Sequence, residues 1–427
     1  MKVLVVLQDA NGRGGTERTA LLATAELRGR GHEVHLLHGG ADPLAPGLVD
    51  AELREPSLFD FGGRPPVAEA RAAAARVREH VRAHGVDLVH VHGFPRADVR
   101  RTLAAGRPVV VTAHNVLCPT GSRYQWGTGH VCDREIGLGC LTSGYRSLGC
   151  GRLGDGTPMS VQGFGLQMVL DARFRRQTRT ADAVVAPSAW MRGHLLSEGA
   201  GAQRVHVVEP PITAAAAVPA QREGERADAD ALPVVSFVGR LVAIKGVDVL
   251  LRASARVPVP HRLVLAGDGG AREELRALVR ELGIEGRTRF EGAVTPAQAD
   301  ALRRRSAVVA VPSVVPETFG MVGPEALLAG VPVVAHDFAG ASGWIAAAGP
   351  LASGVSLRDV DAFAAALTRA LQSPPPAAVR AEVAGALRER YSVHRHVDAL
   401  LGVYRGAAAA RDVHRGAPAL DLAGPSA

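Results

Sequence analysis

Val3–Leu7 is a short unbroken apolar run, the pattern of a strand buried on both faces of a parallel sheet. A Gly-rich turn, Asn11-Gly12-Arg13-Gly14-Gly15-Thr16-Glu17, follows it, and then helical spacing at Leu21, Leu22, Ala25 and Leu27. Gly29 and Gly31 end that helix, and Val34–Leu37 reads as the next strand. The alternation continues with strands predicted at Val86–His92, Val109–Thr112, Ala183–Ala186 and Val205–Val208, and a helix over Glu69–Ala83. Thr213–Pro233 is polar or small throughout and has no periodicity, which marks an interdomain linker. Beyond it the pattern restarts, with strands at Val234–Val238, Leu263–Ala266, Ala307–Val311 and Val331–Ala335 and a helix over Arg272–Leu282. From Tyr391 onward, Val393, Val397, Leu400, Leu401 and Tyr404 share one helix face that must pack on something.

Alternating units of this kind build doubly wound parallel sheets, so the fold class is α/β with two Rossmann-like domains facing a cleft. The expected boundaries are 1–212 for the first domain, 213–233 for the linker and 234–390 for the second domain. A helix at 391–405 is expected to pack back across the cleft, and the Ala/Gly-rich 406–427 to fray.

Composition narrows the classes. At 427 residues the chain is long enough for two or three domains, and 47% hydrophobic with 21% charged residues is ordinary for a soluble globular protein. No apolar run approaches the ~18 residues of a spanning helix, and the start, Met1-Lys2-Val3-Leu4-Val5-Val6-Leu7-Gln8-Asp9, is too short in apolar length for a signal peptide. The expectation is a cytoplasmic protein. Net charge is +7 and the isoelectric point near 9.8, which suits nucleic acid, an anionic membrane surface or phosphorylated small molecules. No block of five or six consecutive Lys/Arg occurs, and no basic stripe is interleaved with aromatics, so nucleic acid is not an expected partner.

Chemistry concentrates in a few places. The Gly12–Glu17 turn lies between a strand and a helix N-terminus, where backbone N–H groups and the helix dipole favour an anion. Glu17 occupies the third Gly position of a dinucleotide fingerprint, and His38-Gly39-Gly40 stands where an acidic residue would close the second strand. A nicotinamide enzyme is therefore disfavoured. In the second half, Phe237-Val238-Gly239-Arg240-Leu241 ends a strand and Lys245-Gly246 follows. An Arg and a Lys at the carboxyl end of a parallel strand can neutralise a diphosphate, or merely salt-bridge at the surface. Glu317 sits in a Pro/Gly-rich loop and Glu325 just inside a helix that Pro324 can start. Two carboxylates facing one crevice can accept hydrogen bonds from vicinal hydroxyls; the bland alternative is a solvated and a capping carboxylate.

These motifs, G-G-T-E at 14–17, G-R-L-x3-K-G at 239–246, Gly267-Asp268-Gly269 and E-x7-E at 317–325, resemble in order and spacing the family-4 glycosyltransferases of the GT-B fold over residues 1–405. The resemblance implies a retaining, metal-independent enzyme that uses a nucleotide sugar as co-substrate. It implies that Arg240 and Lys245 bind the diphosphate, with the Gly14-Gly15 turn and Gly267 lining the nucleotide sugar. It further implies Glu325 on the ribose, Glu317 on the donor sugar, and backbone N–H groups from Phe319 and Gly320. His114, in Thr112-Ala113-His114-Asn115 at a strand end, matches the family's cleft histidine. The acceptor would be a small molecule, a saccharide or a lipid-linked glycan. A GT-B epimerase or phosphorylase is the nearest alternative, and a Zn-bearing nucleic-acid-binding protein a remote one.

Two departures stand out. Glu209-Pro210-Pro211-Ile212 replaces the Asn-Gly turn of many relatives, and Phe338–Gly343 lacks the acid of a Gly-Gly-x-x-Glu. No convincing D-x-D exists, Asp228-Ala229-Asp230 falling in the linker, so no catalytic Mg²⁺ or Mn²⁺ is expected.

All four cysteines, Cys118, Cys132, Cys140 and Cys150, fall in the segment 115–160 as C-x13-C-x7-C-x9-C. In a reducing compartment disulfides are disfavoured, and structural Zn, an iron–sulfur centre or free thiols remain open. The segment directly follows His114 and is expected to hang over the acceptor side of the cleft, leaving donor binding untouched. Phe164–Thr180 mixes apolar residues with Arg173, Arg175, Arg176 and Arg179, which fits a domain helix with a solvated face or a peripheral membrane contact at the inner face.

Overall fold

The computed structural model describes residues 1–10, 14–40, 44–59, 67–93, 99, 103–118, 120, 122–152, 157–213 and 232–416. Gly12, nearly all of the linker with its D-x-D, and the tail from 417 lie outside the described residues.

The N-terminal half runs β1 (Lys2–Leu7), α1 (Gly15–Gly29), β2 (Glu33–His38), β3 (Ala51–Arg54), α2 (Val67–Ala83), β4 (Leu88–His92) and β5 (Val109–Thr112). A small antiparallel hairpin, β6 (Tyr124–Gln125) and β7 (His130–Val131), comes next, then α3 (Val161–Thr180), β8 (Ala183–Ala186), α4 (Ala189–Ser197) and β9 (Val205–Val207). Seven of these strands form one parallel sheet in the order β3-β2-β1-β4-β5-β8-β9. Alternate residues of β1 explain why its apolar run is unbroken. Leu4 and Val6 enter a core with α2 and α4 residues such as Val77 and Leu195, while Val3, Val5 and Leu7 face a second core on the opposite side.

The C-terminal half repeats the plan with β10 (Val234–Val238), α5 (Val247–Arg256), β11 (Arg262–Ala266), α6 (Arg272–Glu281), β12 (Thr288–Gly292), α7 (Pro296–Arg305) and β13 (Val308–Val311). It continues through α8 (Val322–Leu328), β14 (Val333–His336), α9 (Ala341–Ala348), β15 (Ala352–Val355), α10 (Val360–Gln372) and α11 (Ala377–Arg390). Its six parallel strands lie in the order β12-β11-β10-β13-β14-β15. The two sheets are the Rossmann-like pair of the expected fold class. In each, strand order reverses beside the first strand, between β1 and β4 and between β10 and β13, and ligands of open α/β sheets bind at such switch points.

The last helix, α12 (Val393–Gly416), leaves the half that precedes it in sequence. Val397, Leu400, Val403, Tyr404 and Ala407 join Val3, Val5 and Leu7 in the core of the first sheet. Each large side chain so buried contributes about 1.5–3 kcal/mol. The helix continues eleven residues past the boundary at 405 because Ala407–Ala410 are strong helix formers and Ala407 is itself buried. Both chain crossings between the halves run side by side. Arg390 holds Glu209 with two bonds of 2.8 Å, and Ile212 N–H donates to the Tyr391 carbonyl at 2.9 Å. The Glu209–Ile212 departure is thus a clamped crossing.

Three strands of the two parallel sheets have no counterpart in the apolar pattern: β3, β12 and β15. They are the edge or near-edge strands, only partly buried, with sequences AELR, TRFEG and ASGV that lack a continuous apolar run.

Candidate active site

The carboxyl end of β10 carries the first group of candidates. Gly239 N–H donates to Ala266 O, and Leu241 N–H to Asp268 O, each at 2.9 Å, so the turn after β10 lies on the Gly267-Asp268-Gly269 turn after β11. This close approach requires glycine: a Cβ on Gly267 would stand 1.8 Å from the Gly239 carbonyl oxygen. Gly246 is equally constrained, with φ +65° and a Cβ position 1.9 Å from Pro312 O. It turns the chain into α5 and leaves Lys245 pointing at the loop after β13. Arg240 is exposed beside it.

Lys245 Nζ donates to Glu317 Oε1 at 2.7 Å, and Ser313 Oγ donates to the same oxygen at 2.5 Å. Burial would raise the Glu317 carboxyl, but Lys245, Ser313 and the nearby Arg240 outweigh it and hold the group below its ordinary value. Gly320, at φ +82°, lets the loop pass next to the other Glu317 oxygen. The Phe319 side chain turns away into the core, edge-on to Tyr391, while its carbonyl accepts from Trp344 Nε1 at 2.8 Å.

Eight residues on, Glu325 in the first turn of α8 is bound from both sides. Arg18 of α1 meets Oε1 at 2.9 Å and Arg303 of α7 meets Oε2 at 3.1 Å. Arg18 also donates to the carbonyl and hydroxyl oxygens of Thr213. The start of α1 abuts the residue before α8, since a Cβ on Gly15 would lie 2.8 Å from Met321 Sδ. The Gly14-Gly15 turn therefore faces the crevice in which Glu317 and Glu325 sit.

His114 closes the N-terminal side. Its carbonyl accepts from Thr318 Oγ1 at 3.2 Å, and Ser188 Oγ donates to Thr318 O at 2.7 Å, so the Glu317 loop rests on the ends of β5 and β8. The His114 ring belongs to a chain that sequence inspection did not single out. From Tyr404 the contacts run to His90 at 2.7 Å, to His92 at 3.2 Å, and to His114 Nε2 at 3.0 Å. Burial lowers His114 to about 4, with help from His396, and His90 to about 3. The imidazole of His114 is neutral at physiological pH and can only share a hydrogen bond.

Contacts thus link the Gly14-Gly15 turn to the segment before α8 that holds Glu325, the Arg240 turn to the Gly267 turn, Lys245 to Glu317, and the His114 carbonyl to the loop that carries Glu317, Phe319 and Gly320. Arg18, Arg303 and Ser313 were missed. Arg18 follows G-G-T-E directly and Arg303 opens an Arg-Arg-Arg run that reads as a solvated face.

The four cysteines also converge. Cys118, Cys132, Cys140 and Cys150 line one cavity of about 20 Å³, and no disulfide joins them. As placed, no group of three or more His, Cys, Asp or Glu side chains among the described residues is arranged to hold a metal ion. The segment, expected to hang over the acceptor side, also reaches the second half. Tyr124 of its hairpin is buried with Val242, Ile244, Val249, Val314 and Val315 of the second half, with Trp126 packed alongside. Arg358 stacks over the Tyr124 ring at 5.7 Å. A β-hairpin projecting from one sheet and tipped with aromatics reaches whatever apolar surface faces it, which spacing alone does not reveal.

On α3, Phe164 and Phe174 are buried, Arg175 pairs with Asp171 at 2.9 Å, and Arg179 donates to Glu198 O at 2.7 Å. Leu166, Val169, Arg173 and Arg176 remain exposed on one face. Among the described residues no helix is long and apolar enough to cross a membrane.

Two families account for the chain. Residues 14–211 match the glycosyl transferase 4-like domain, and residues 221–387 match glycosyl transferases group 1. The chain belongs to these glycosyltransferase families, and its fold is GT-B. A D-inositol 3-phosphate glycosyltransferase of Mycobacterium avium is 32% identical over 265 residues, covering 60% of each chain. A second such protein, from Catenulispora acidiphila, is 36% identical over 247 residues, or 53% of this chain and 58% of that one. The matched region thus spans about 60% of these curated relatives. Among solved structures, Anabaena Alr3699/HepE in complex with UDP superposes with a TM-score of 0.68 at 20% identity, covering 94% of this chain and 99% of that one. WaaG, a glycosyltransferase involved in lipopolysaccharide biosynthesis, gives 0.61 at 19% identity, covering 97% and 100%.

Proposed function

We propose that the protein is a retaining glycosyltransferase that moves a sugar from a nucleoside-diphosphate sugar to a hydroxyl acceptor. The observation that carries this reading is the Lys245–Glu317 pair at 2.7 Å, with Arg240 exposed beside it, at the carboxyl end of a parallel strand and opposite the start of α1. Arg240 and Lys245 bind the diphosphate, and the helix start at Gly14-Gly15 adds N–H donors to it. Gly267 lets the backbone come close to the nucleotide. Glu325 accepts from the ribose hydroxyls, for which Arg18 must share or release the carboxylate. Glu317 and the N–H groups of Phe319 and Gly320 hold the donor sugar, and neutral His114 hydrogen-bonds a hydroxyl near the reacting carbon.

The chemistry follows from where charge grows. As the glycosidic C–O bond breaks, negative charge builds on the leaving diphosphate, and Arg240 and Lys245 stabilise it. A double displacement would need a second carboxylate about 5–5.5 Å from the first, flanking the bond. Glu317 and Glu325 are engaged with cations and suited to hydroxyls; the resemblance to family-4 glycosyltransferases implies instead that the acceptor attacks from the face that the diphosphate leaves. A diphosphate oxygen takes the acceptor proton. No divalent cation takes part in catalysis.

UDP is the first donor nucleotide to test, since it is held by a structural neighbour. The acceptors to test are phosphorylated polyols, after the relatives named for D-inositol 3-phosphate, and saccharide or lipid-linked glycans at the inner membrane face. For the latter, the exposed Leu166, Val169, Arg173 and Arg176 give α3 a face suited to anionic lipid. The test is calorimetry with UDP, GDP and dTDP, followed by NMR of the product anomer from the matching sugar donor. Binding of one nucleotide and retained configuration, with turnover in EDTA, are expected. Inversion, or absence of binding to all three, overturns the proposal.

A further inference from the structure

We propose that His92 is a positioning residue that fixes which nitrogen of His114 carries the proton, leaving His114 Nδ1 as a bare hydrogen-bond acceptor. The use of that nitrogen in the reaction rests on the transferase reading; the placement of the proton does not. His92 Nδ1 lies 3.0 Å from His114 Nε2, with ring centroids 5.2 Å apart and planes 29° from parallel. Rings so nearly parallel that touch through two nitrogens meet at their edges, so one nitrogen donates and the other accepts. His114 Nδ1, by contrast, has no partner among the described residues and is not one of their enclosed polar atoms, and the ring as a whole is only half-buried. Whatever His92 dictates at Nε2 is therefore expressed in the opposite sense at Nδ1.

The direction is set from the far end of the chain of rings. Burial lowers His114 to about 4, His90 to about 3 and His92 well below its ordinary value, so all three rings are neutral. Each then offers one N–H and one bare nitrogen. Tyr404 is wholly buried, and His90 Nδ1, at 2.7 Å, is the one hydrogen-bond partner of its hydroxyl among the described residues. A buried hydroxyl proton without an acceptor carries the full cost of its desolvation, so Tyr404 donates to His90 Nδ1. That nitrogen is then bare, and the His90 proton sits on Nε2, where Thr112 Oγ1 accepts it at 2.8 Å. Thr112 keeps 5% exposure at the end of β5, and its freely rotating hydroxyl proton is not stranded in the same way. His92 Nε2 faces the bare His90 Nδ1 at 3.2 Å and must be protonated, since two lone pairs would repel. His92 Nδ1 is therefore bare, and His114 donates to it from Nε2. All three histidines share one tautomer; the reverse order would strand the Tyr404 proton.

The consequence is chemical selectivity. A bare imidazole nitrogen accepts from a hydroxyl and repels a carbonyl or ether oxygen, so the ligand group set against it must carry an O–H. A sugar deoxygenated or O-methylated at that position would leave the nitrogen unpaired, the kind of mismatch by which polar sites reject analogues. Because burial opposes protonation of the ring, Nδ1 orients a hydroxyl and does not carry its proton away. The returning helix becomes part of the site as well. Tyr404 reaches the first sheet only because α12 packs there with Val397 and Leu400, so the state of His114 depends on that crossing.

The test reads the proton itself. The full chain is labelled with ¹⁵N-histidine, and long-range ¹H–¹⁵N correlation spectra near neutral pH separate protonated from bare ring nitrogens. Signals are assigned by their loss in His92→Asn and His114→Gln. A protonated Nε2 and a bare Nδ1 are expected for His90, His92 and His114. Nδ1–H at His114, or a doubly protonated ring, would overturn the assignment whether or not any nucleotide binds. His92→Leu should leave His114 in a mixture of both tautomers and lower kcat/KM for the cognate nucleotide sugar about 2–10-fold, the range of one neutral hydrogen bond. Calorimetric affinity for the free nucleotide, which lacks the sugar, should stay unchanged. His92→Asn, whose amide oxygen can accept from Nε2–H in place of Nδ1, should restore most of the loss. A single fixed tautomer of His114 in His92→Leu, an equal loss of nucleotide affinity, or no rescue by Asn would overturn the positioning role. Should His92→Leu fail to fold, Tyr404→Phe asks the same question from outside the cleft. With no hydroxyl proton to place, both tautomers of His114 should appear, and one alone would overturn the chain. The expected tautomer in a protein that binds none of UDP, GDP and dTDP would uphold the proton assignment and sink the transferase reading instead.

Discussion

Arg18 of α1 and Glu325 of α8 are 307 positions apart in sequence and meet at 2.9 Å across the crevice between the two halves. Arg303 holds the other oxygen of the same carboxylate. The carboxylate proposed to receive ribose hydroxyls thus also ties α1 to α8, so nucleotide binding at Glu325 would have to work through that contact.

Replacing Glu325 tests this double role. Glu325→Ala is expected to weaken binding of the cognate nucleotide by about 10–100-fold, the loss of hydrogen bonding to a charged acceptor worth ~1.5–3 kcal/mol in total. Calorimetry at constant salt measures it. Unchanged affinity would remove Glu325 from the ribose.

Lys245 has a different kinetic signature. Charge on the leaving diphosphate grows toward the transition state, so Lys245→Ala should lower kcat by about 10²–10³ with a smaller rise in KM. Steady-state kinetics separate the two. A loss confined to KM would mean that Lys245 only binds.

Acid should destabilise the fold through its buried histidines. Burial lowers His396 and His114 to about 4 and His90 to about 3, against 6.5 for a free side chain. Between pH 6.5 and about 4 the unfolded chain therefore takes up protons that the folded chain refuses. Stability is full above pH 6.5 and falls as the pH drops through that window, by roughly 3 kcal/mol for one histidine lowered to about 4. Melting temperature recorded from pH 7 to 4 should fall steeply. His396→Gln, which can keep a bond to the Glu209 carbonyl now 2.8 Å from Nδ1, should flatten the slope. An identical slope would show that other groups drive the acid transition.

Gly246→Ala should cost more than a loop substitution normally does. The new Cβ would meet Pro312 O at 1.9 Å in a left-handed backbone conformation. A loss of about 1–3 kcal/mol in unfolding free energy is expected, with reduced nucleotide affinity because Lys245 is displaced. Denaturant unfolding gives the first value and calorimetry the second. Wild-type stability would mean that the turn relaxes freely.

Much of this molecule was legible in the chain itself. Unbroken apolar runs such as Val3–Leu7 and Val234–Val238 announce strands covered on both faces, because polar side chains cannot be placed on either side of a doubly covered sheet. Glycines 246 and 267 mark turns that no other residue can make, and Arg240, Lys245, Glu317 and Glu325 lie at strand and helix ends fixed by the same alternation. Local order along the chain determines these features, since each depends on neighbours a few residues away. The edge strands β3 and β12 were not legible, for half their surface meets solvent and no apolar run is needed.

Only the tertiary structure decided which groups meet. The apolar stripe of α12 showed that a face would be buried but not that it covers Val3 and Val5 of the other half. Arg18 could have been solvated, and Arg303 lay within a charged run, until packing set both against Glu325. The hairpin carrying Tyr124 likewise crosses to the Lys245 wall because an exposed aromatic gains most where apolar surface is nearest. Periodicity records that a side chain is buried. Its partner depends on how two separately wound sheets are brought face to face, a relation between distant residues that no local pattern carries.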